Sequence, residues 1–159
     1  MDSESKRLKL VSTVTVAGAE RFCTKDSRKV ANVGWTGSNF YKVFLQKVEE
    51  NVGAAKVAIH SLEEPSSGTQ IISELGDHAE IKLANFFSLL ENQSKGGGGT
   101  LLTNKCANIA FIRGDDSSLY MVLARWFYFP GCWFLGAMLV DDPHRWDEKA
   151  LVLSCAYDS

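Results

Sequence analysis

The stretch LYMVLARWFYFPGCWFLGAMLV, from Leu119 to Val140, decides the fold class of this chain. It is the nearest approach to a membrane-spanning segment, yet Arg125 and the pair Pro130-Gly131 interrupt it. Because a Pro-Gly pair between two apolar runs is typical of a tight turn, this stretch predicts a β-hairpin with Pro130-Gly131 at its tip.

Segments on both sides of this hairpin predict more strands. CANIAFIR, residues 106–113, precedes it and is followed by a turn at residues 114–118. ALVLSCA, residues 150–156, comes after a turn at residues 141–143. Since short connections between consecutive strands mean antiparallel pairing, we expect a four-stranded antiparallel meander here.

The N-terminal half also predicts strands. LKLVSTVTVAG, residues 8–18, alternates with a period of two. Its apolar face consists of Leu8, Leu10, Val14 and Val16. Further strands are expected at residues 20–24, 28–35, 55–61 and 69–75, with a turn at residues 26–27. HAEIKLANFFSLLEN, residues 78–92, fits a helix by its capping-box pattern and a strand by its partial alternation, and we favour the strand.

FYKVFLQKVEENV, from Phe40 to Val52, predicts an amphipathic helix. Its apolar side chains fall in one arc of about 140° on a helical wheel, and polar side chains lie opposite. The apolar arc consists of Phe40, Tyr41, Phe44, Leu45, Val48 and Val52. The predicted fold class is therefore mainly β (α+β): an antiparallel β-sandwich or half-open barrel with one flanking amphipathic helix.

Composition suits a single β-rich domain over residues 1–159. Hydrophobic residues make up 45% and charged residues 23% of the chain, which are values of globular domains. The net charge of −2 argues against a nucleic acid partner. The four cysteines, which form no C-x-x-C pair, are Cys23, Cys106, Cys132 and Cys155. We therefore expect no metal and no cofactor. A polar start without a signal-peptide pattern predicts a cytoplasmic chain with free thiols.

Motifs of catalysis do not come together in the sequence. There is no G-x-S-x-G element, and His60, His78 and His144 lie in unrelated contexts. Acidic residues occur mostly as adjacent pairs, which do not converge on a substrate. SKGGGGTLLTNK, residues 94–105, lacks the G-K-[ST] ending of a phosphate-binding loop and is expected to be a flexible surface loop. We therefore predict that the chain is not an enzyme.

Aromatic residues concentrate at the predicted hairpin tip. Alternation in a strand would place Trp126 and Tyr128 on one face, and Phe127 and Phe129 on the other. Trp and Tyr side chains suit membrane interfaces and sugar or choline ligands, because each ring is apolar with one polar group. The candidate ligand- or lipid-binding residues are Trp126, Tyr128, Trp133 and Phe134.

Two segments resemble the actinoporins, the pore-forming cytolysins of sea anemones. FYKVFLQKVEENVGAAKVAI, residues 40–59, is similar to the amphipathic helix, glycine and strand of that family. CANIAFIRGDDSSLYMVLARWFYFPGCWFLGAML, residues 106–139, is similar to its paired strands and aromatic loop. Only Trp133 lines up with the tryptophan pair of the family, and the serine and proline that help its members to hold phosphocholine are absent from LARWFYF.

The resemblance implies a β-sandwich that binds choline lipids through the aromatic loop. It also implies a membrane-inserting helix, whose apolar face would carry Phe40, Phe44 and Val48. We therefore predict a non-enzymatic module that binds lipid headgroups or a membrane surface and forms pores. The alternatives are a lectin-like domain that binds glycans and a jelly-roll capsid or assembly protein that forms homo-oligomers.

Overall fold

The computed structural model describes residues 7–156. Its strands are β1 (Leu8–Val16), β2 (Ala19–Cys23), β3 (Val33–Thr36), β4 (Val48–Val52), β5 (Ala55–Leu62), β6 (Ser66–Ser67), β7 (Asn108–Arg113), β8 (Leu119–Phe127), β9 (Cys132–Leu139), β10 (Arg145–Trp146) and β11 (Leu151–Cys155). Its helices are α1 (Thr24–Ala31), α2 (Ser38–Phe44), α3 (Gly68–Leu75) and α4 (Leu83–Asn92). Strands hold 43% of these described residues and helices 24%, which confirms a mainly β fold.

Seven strands form one mixed sheet in the order β1-β5-β11-β7-β8-β9-β3. The strands β7, β8 and β9 pair antiparallel in sequence order, as the hairpin and turn signals predict. However, β11 lies between β5 and β7 and runs parallel to β7, and β3 runs parallel to β9. The prediction of a four-stranded antiparallel meander is therefore wrong for β11. The sheet is open, and neither a sandwich nor a barrel is confirmed.

Both faces of the central strands are buried. On one face, Val122 and Leu135 belong to a cluster that includes Phe86 of α4 and Phe40 of α2. On the other face, Met121 belongs to a second cluster with residues of α3 and β10. Since neither face of β8 is free, its sequence is nearly continuously apolar instead of alternating. One flanking helix was expected, and residues 7–156 contain four α-helices.

The helices α3 and α4 form where strands were expected. A capping box starts α3. The Ser67 hydroxyl accepts from the backbone N–H of Gln70, and the side-chain oxygen of Gln70 accepts from the backbone N–H of Ser67. The apolar residues of α4 surround much of its axis because α1 and β4 pack on it in addition to the core. Burial on several sides removes the one-sided pattern that normally identifies a helix.

The helix expected over Phe40–Val52 is shorter than its sequence pattern indicates. It ends as α2 at Phe44, and Val48 begins β4, which pairs with β2. Similarly, residues 24–31 form α1 instead of a turn and a strand, and the helix ends where Asn32 adopts a left-handed backbone with φ of 62°. Over residues 48–52, pairing with the distant strand β2 overrides the local helix preference.

A bulge in β1 divides the apolar residues that were predicted to share one face. The register with β5 shifts between Leu10 and Ser12. As a result, Leu8 contacts one core cluster and Val16 the other, while Leu10 is exposed. An extra residue in one strand reverses the direction of every side chain after it.

Glu49 of β4 fixes the start of α4. Its two carboxylate oxygens accept from the backbone N–H groups of Leu83 at 3.0 Å and Ala84 at 2.8 Å. A negative charge at a helix N-terminus also interacts favourably with the helix dipole. These first N–H groups lack partners inside the helix. Glu49 provides their hydrogen-bond acceptors from a distant strand, a role that a capping residue next to the helix usually has.

We predict that Glu49→Gln lowers the free energy of unfolding by about 1–2 kcal/mol, because it removes the charge and one of the two acceptors. Urea unfolding followed by circular dichroism measures this change. Glu50→Gln, an exposed neighbour, is the matched control and should leave stability nearly unchanged. An equal effect of both substitutions would contradict this role of Glu49.

Candidate functional site

The loop between β8 and β9 exposes two aromatic rings. Tyr128 is 60% and Phe129 94% accessible to solvent. The Phe129–Pro130 peptide bond is cis, and Gly131 has a left-handed φ of 97°, which a residue with a side chain adopts only with strain. Since β8 ends at Phe127, the predicted alternation does not reach Phe129. We call residues 128–131 the hairpin loop.

Trp126 and Trp133, two of the four candidate ligand residues, lie in the core behind this loop. They are cross-strand partners, and their rings meet edge to face with centroids 5.3 Å apart. The Trp133 indole N–H donates to the carbonyl of Gln93 at 3.2 Å. Gly96, in the loop after α4, lies against the Trp126 ring. The two tryptophans therefore support the hairpin loop, and neither is at the surface.

Asn32 joins the hairpin loop to two other segments. Its side-chain N–H group donates to the carbonyl of Gly131 at 3.0 Å and to that of Ser94 at 2.6 Å. Its own carbonyl accepts from the backbone N–H of Trp133 at 2.9 Å. The loop is thus tied to the end of α1 and to the segment after α4, while its aromatic rings point outward.

A row of three rings lies on the other face of the sheet near the same loop. Phe127 and Phe134 stack with centroids 5.9 Å apart, and Trp35 of β3 lies 6.4 Å from Phe134. Trp35 is 66% exposed, and the two phenylalanines are partly buried. Sequence reasoning found Phe134 but missed Trp35, because the parallel pairing of β3 with β9 leaves no local signal.

The residues proposed as a membrane-inserting helix face are separated. Phe40 and Phe44 are fully buried and stack on each other with centroids 5.1 Å apart. Val48 is exposed but lies in β4. The three side chains therefore do not share a helix face in this fold.

Two lysines lie close in sequence to Asn32 and Ser94, which are bonded near the hairpin loop. Lys29 lies in the last turn of α1, three residues before Asn32, and Lys95 directly follows Ser94. Both lysines are exposed. Because Asn32 bonds to Ser94 and to the loop, it brings both charges to the same end of the sheet as the exposed rings.

The structure brings one serine and one histidine together, away from this loop. The His60 ring and the Ser154 hydroxyl are 3.0 Å apart. Burial lowers the pKa of His60, although the charge of Glu74 acts in the opposite direction. Ser154 is only 2% exposed, so its hydroxyl is not presented to a substrate. This pair is therefore a hydrogen bond between neighbouring strands of the sheet.

Within residues 7–156, no group of three or more His, Cys, Asp and Glu side chains is placed to hold a metal ion. No helix in this described range is long and apolar enough to cross a membrane. Comparisons of the chain with protein-family models, with curated proteins and with solved structures give no match.

We predict that Asn32→Gly lowers the free energy of unfolding by about 1–3 kcal/mol, because it removes two side-chain hydrogen bonds but keeps a residue that tolerates the left-handed backbone. Urea unfolding measures the difference. Asn51→Gly is the matched control, since Asn51 has a φ of 55° and an exposed side chain. Equal stability changes in the two variants would show that the backbone conformation, and not the side-chain bonds, sets the effect.

Proposed function

We propose that the chain is a non-enzymatic module that binds a membrane surface by inserting its hairpin loop into the lipid interface. The observation that carries this proposal is the 94% exposure of Phe129 beside the exposed Tyr128. Leaving a phenylalanine ring in water forgoes about 2 kcal/mol of burial free energy. Rings held in water on a folded protein are typical of a surface that meets a partner or a membrane.

The chemistry of the loop favours a lipid interface. The Phe129 ring is wholly apolar and suits the acyl boundary, whereas the Tyr128 hydroxyl suits the headgroup layer. Lys29 and Lys95, in the two segments that Asn32 joins to the loop, add attraction to anionic lipids, at about 1 kcal/mol for each charge near the surface. An apolar anchor with flanking lysines is a common combination in proteins that bind membranes reversibly.

The support of the loop adds to this case. Because Asn32 and the buried Trp133 hold the backbone, little conformational freedom is lost when the rings enter the interface. Release of α2 to form a pore is unfavourable in this fold. Phe40 and Phe44 are buried, and exposing both would cost about 3–6 kcal/mol of burial free energy before any gain from lipid.

We predict that the double variant Tyr128→Ser, Phe129→Ser reduces the partition coefficient for lipid vesicles by at least about tenfold, since two rings no longer leave water. Co-sedimentation with vesicles of phosphatidylcholine containing 30% anionic lipid measures this. Tyr41→Ser is the matched control, because Tyr41 is 56% exposed on α2 and lies outside the hairpin loop.

Absence of vesicle binding by the unmodified chain would end the proposal. Retention of the protein on a glycan array would then favour the lectin-like alternative. Trp35→Ala should abolish that retention, because the exposed indole of Trp35 can stack on a sugar ring.

A further inference from the structure

A cleft of about 400 Å³ lies at the same end of the sheet as the hairpin loop. Asn108 of β7 pairs with Ala124 of β8, so residues 104–107 lie beside the last residues of β8, just before that loop. Arg125 lines the cleft and is the cross-strand partner of Phe134, the partly buried middle ring of the row that also contains Phe127 and Trp35. The cleft and this row of rings therefore adjoin through Arg125.

Three cations line this cleft. Arg125 is half-buried and donates one guanidinium N–H to the carbonyl of Lys105 at 3.0 Å. Arg145 donates to the carbonyl of Pro65 at 2.9 Å, and Lys105 is exposed. These bonds fix the direction of the guanidinium groups and use only one of the five donors of each. Oriented arginines beside a lysine are typical of phosphate recognition.

Two acids, Asp147 and Glu148, line the same cleft, and His144 lies near them with its ring against Trp146. In the described part of the chain, none of the acids forms an ion pair with the cations of the cleft. The cleft therefore carries cations and carboxylates that form no ion pair with one another. A ligand that matches it carries a phosphate for the cations and an amine for the carboxylates.

We propose that this cleft binds the phosphoethanolamine headgroup of a membrane lipid, with the phosphate at Lys105 and Arg125 and the ammonium at Asp147 and Glu148. The inference rests on the proposed membrane function of the hairpin loop. A primary ammonium donates hydrogen bonds to carboxylates, whereas the methylated ammonium of a choline lipid has none to donate. The cleft therefore selects the ethanolamine headgroup over choline.

The test uses the full chain, labelled with ¹⁵N, and two soluble probes, O-phosphoethanolamine and phosphocholine. Amide shifts of residues 105–107 should saturate with phosphoethanolamine, and phosphocholine should bind at least about fivefold more weakly. Asp147→Asn should reduce this discrimination. No saturable shift, or equal affinity for the two probes, would overturn the proposal.

A matched pair of variants isolates the phosphate contact. Lys105→Gln should weaken phosphoethanolamine binding by about tenfold, because a charge-assisted bond is lost. Lys149→Gln should not weaken phosphoethanolamine binding, because Lys149 does not line the cleft. Lys149 is otherwise a close match to Lys105, since it is also exposed and has a φ of 78°, against 76° for Lys105. Equal weakening by both variants would show attraction by net charge alone and would refute the site.

The vesicle experiment separates this proposal from the hairpin proposal. With anionic lipid held at 30%, replacing phosphatidylcholine by phosphatidylethanolamine should raise the bound fraction, and Lys105→Gln should remove that increase. Equal binding to the two zwitterionic lipids would contradict the headgroup assignment. The variant Tyr128→Ser, Phe129→Ser should lose vesicle binding and still bind soluble phosphoethanolamine. If soluble binding stands while no vesicle binds, the hairpin proposal alone fails.

Discussion

The hydrogen bonds of Asn32 hold together the part of the molecule where its surface chemistry is concentrated. One side-chain amide bridges the hairpin loop and the segment after α4, and the carbonyl of the same residue accepts from Trp133. The left-handed backbone of Asn32 also ends α1 and starts β3. Three segments that are distant in sequence thus meet at one residue. These contacts hold the backbone of the hairpin loop while its aromatic rings stay exposed to solvent.

Burial of both sheet faces explains why this chemistry lies at an end of the sheet. Helices cover one face of the central strands, and α3 with β10 covers much of the other. The apolar side chains of β8 and β9 are therefore mostly used for packing, including Trp126 and Trp133. Among the strands of the described sheet, exposed aromatic rings occur where β8 turns into β9 and at the edge strand β3. The exposed rings and the charged cleft both lie at this end.

Local signals in the sequence predicted the hairpin well. The apolar runs and the Pro130-Gly131 turn place β8 and β9, and Tyr128 is at the surface. The rest depends on contacts between distant segments. Insertion of β11 between β5 and β7 leaves no local pattern, and α4 lost its one-sided pattern because several elements cover it. Because these contacts join distant segments, the alternation of residues in β8 did not predict that the face with Trp126 is covered. It also did not predict that Trp35 contacts Phe134.

The hairpin loop should have a rigid backbone and exposed rings before any ligand binds. Measurement of ¹⁵N relaxation in the free protein tests this at the amides of Tyr128, Phe129 and Gly131. We expect order parameters near those of the flanking strands, about 0.85. Values below about 0.6 at these three amides would contradict it, because the loop would then be flexible despite its bonds to Asn32.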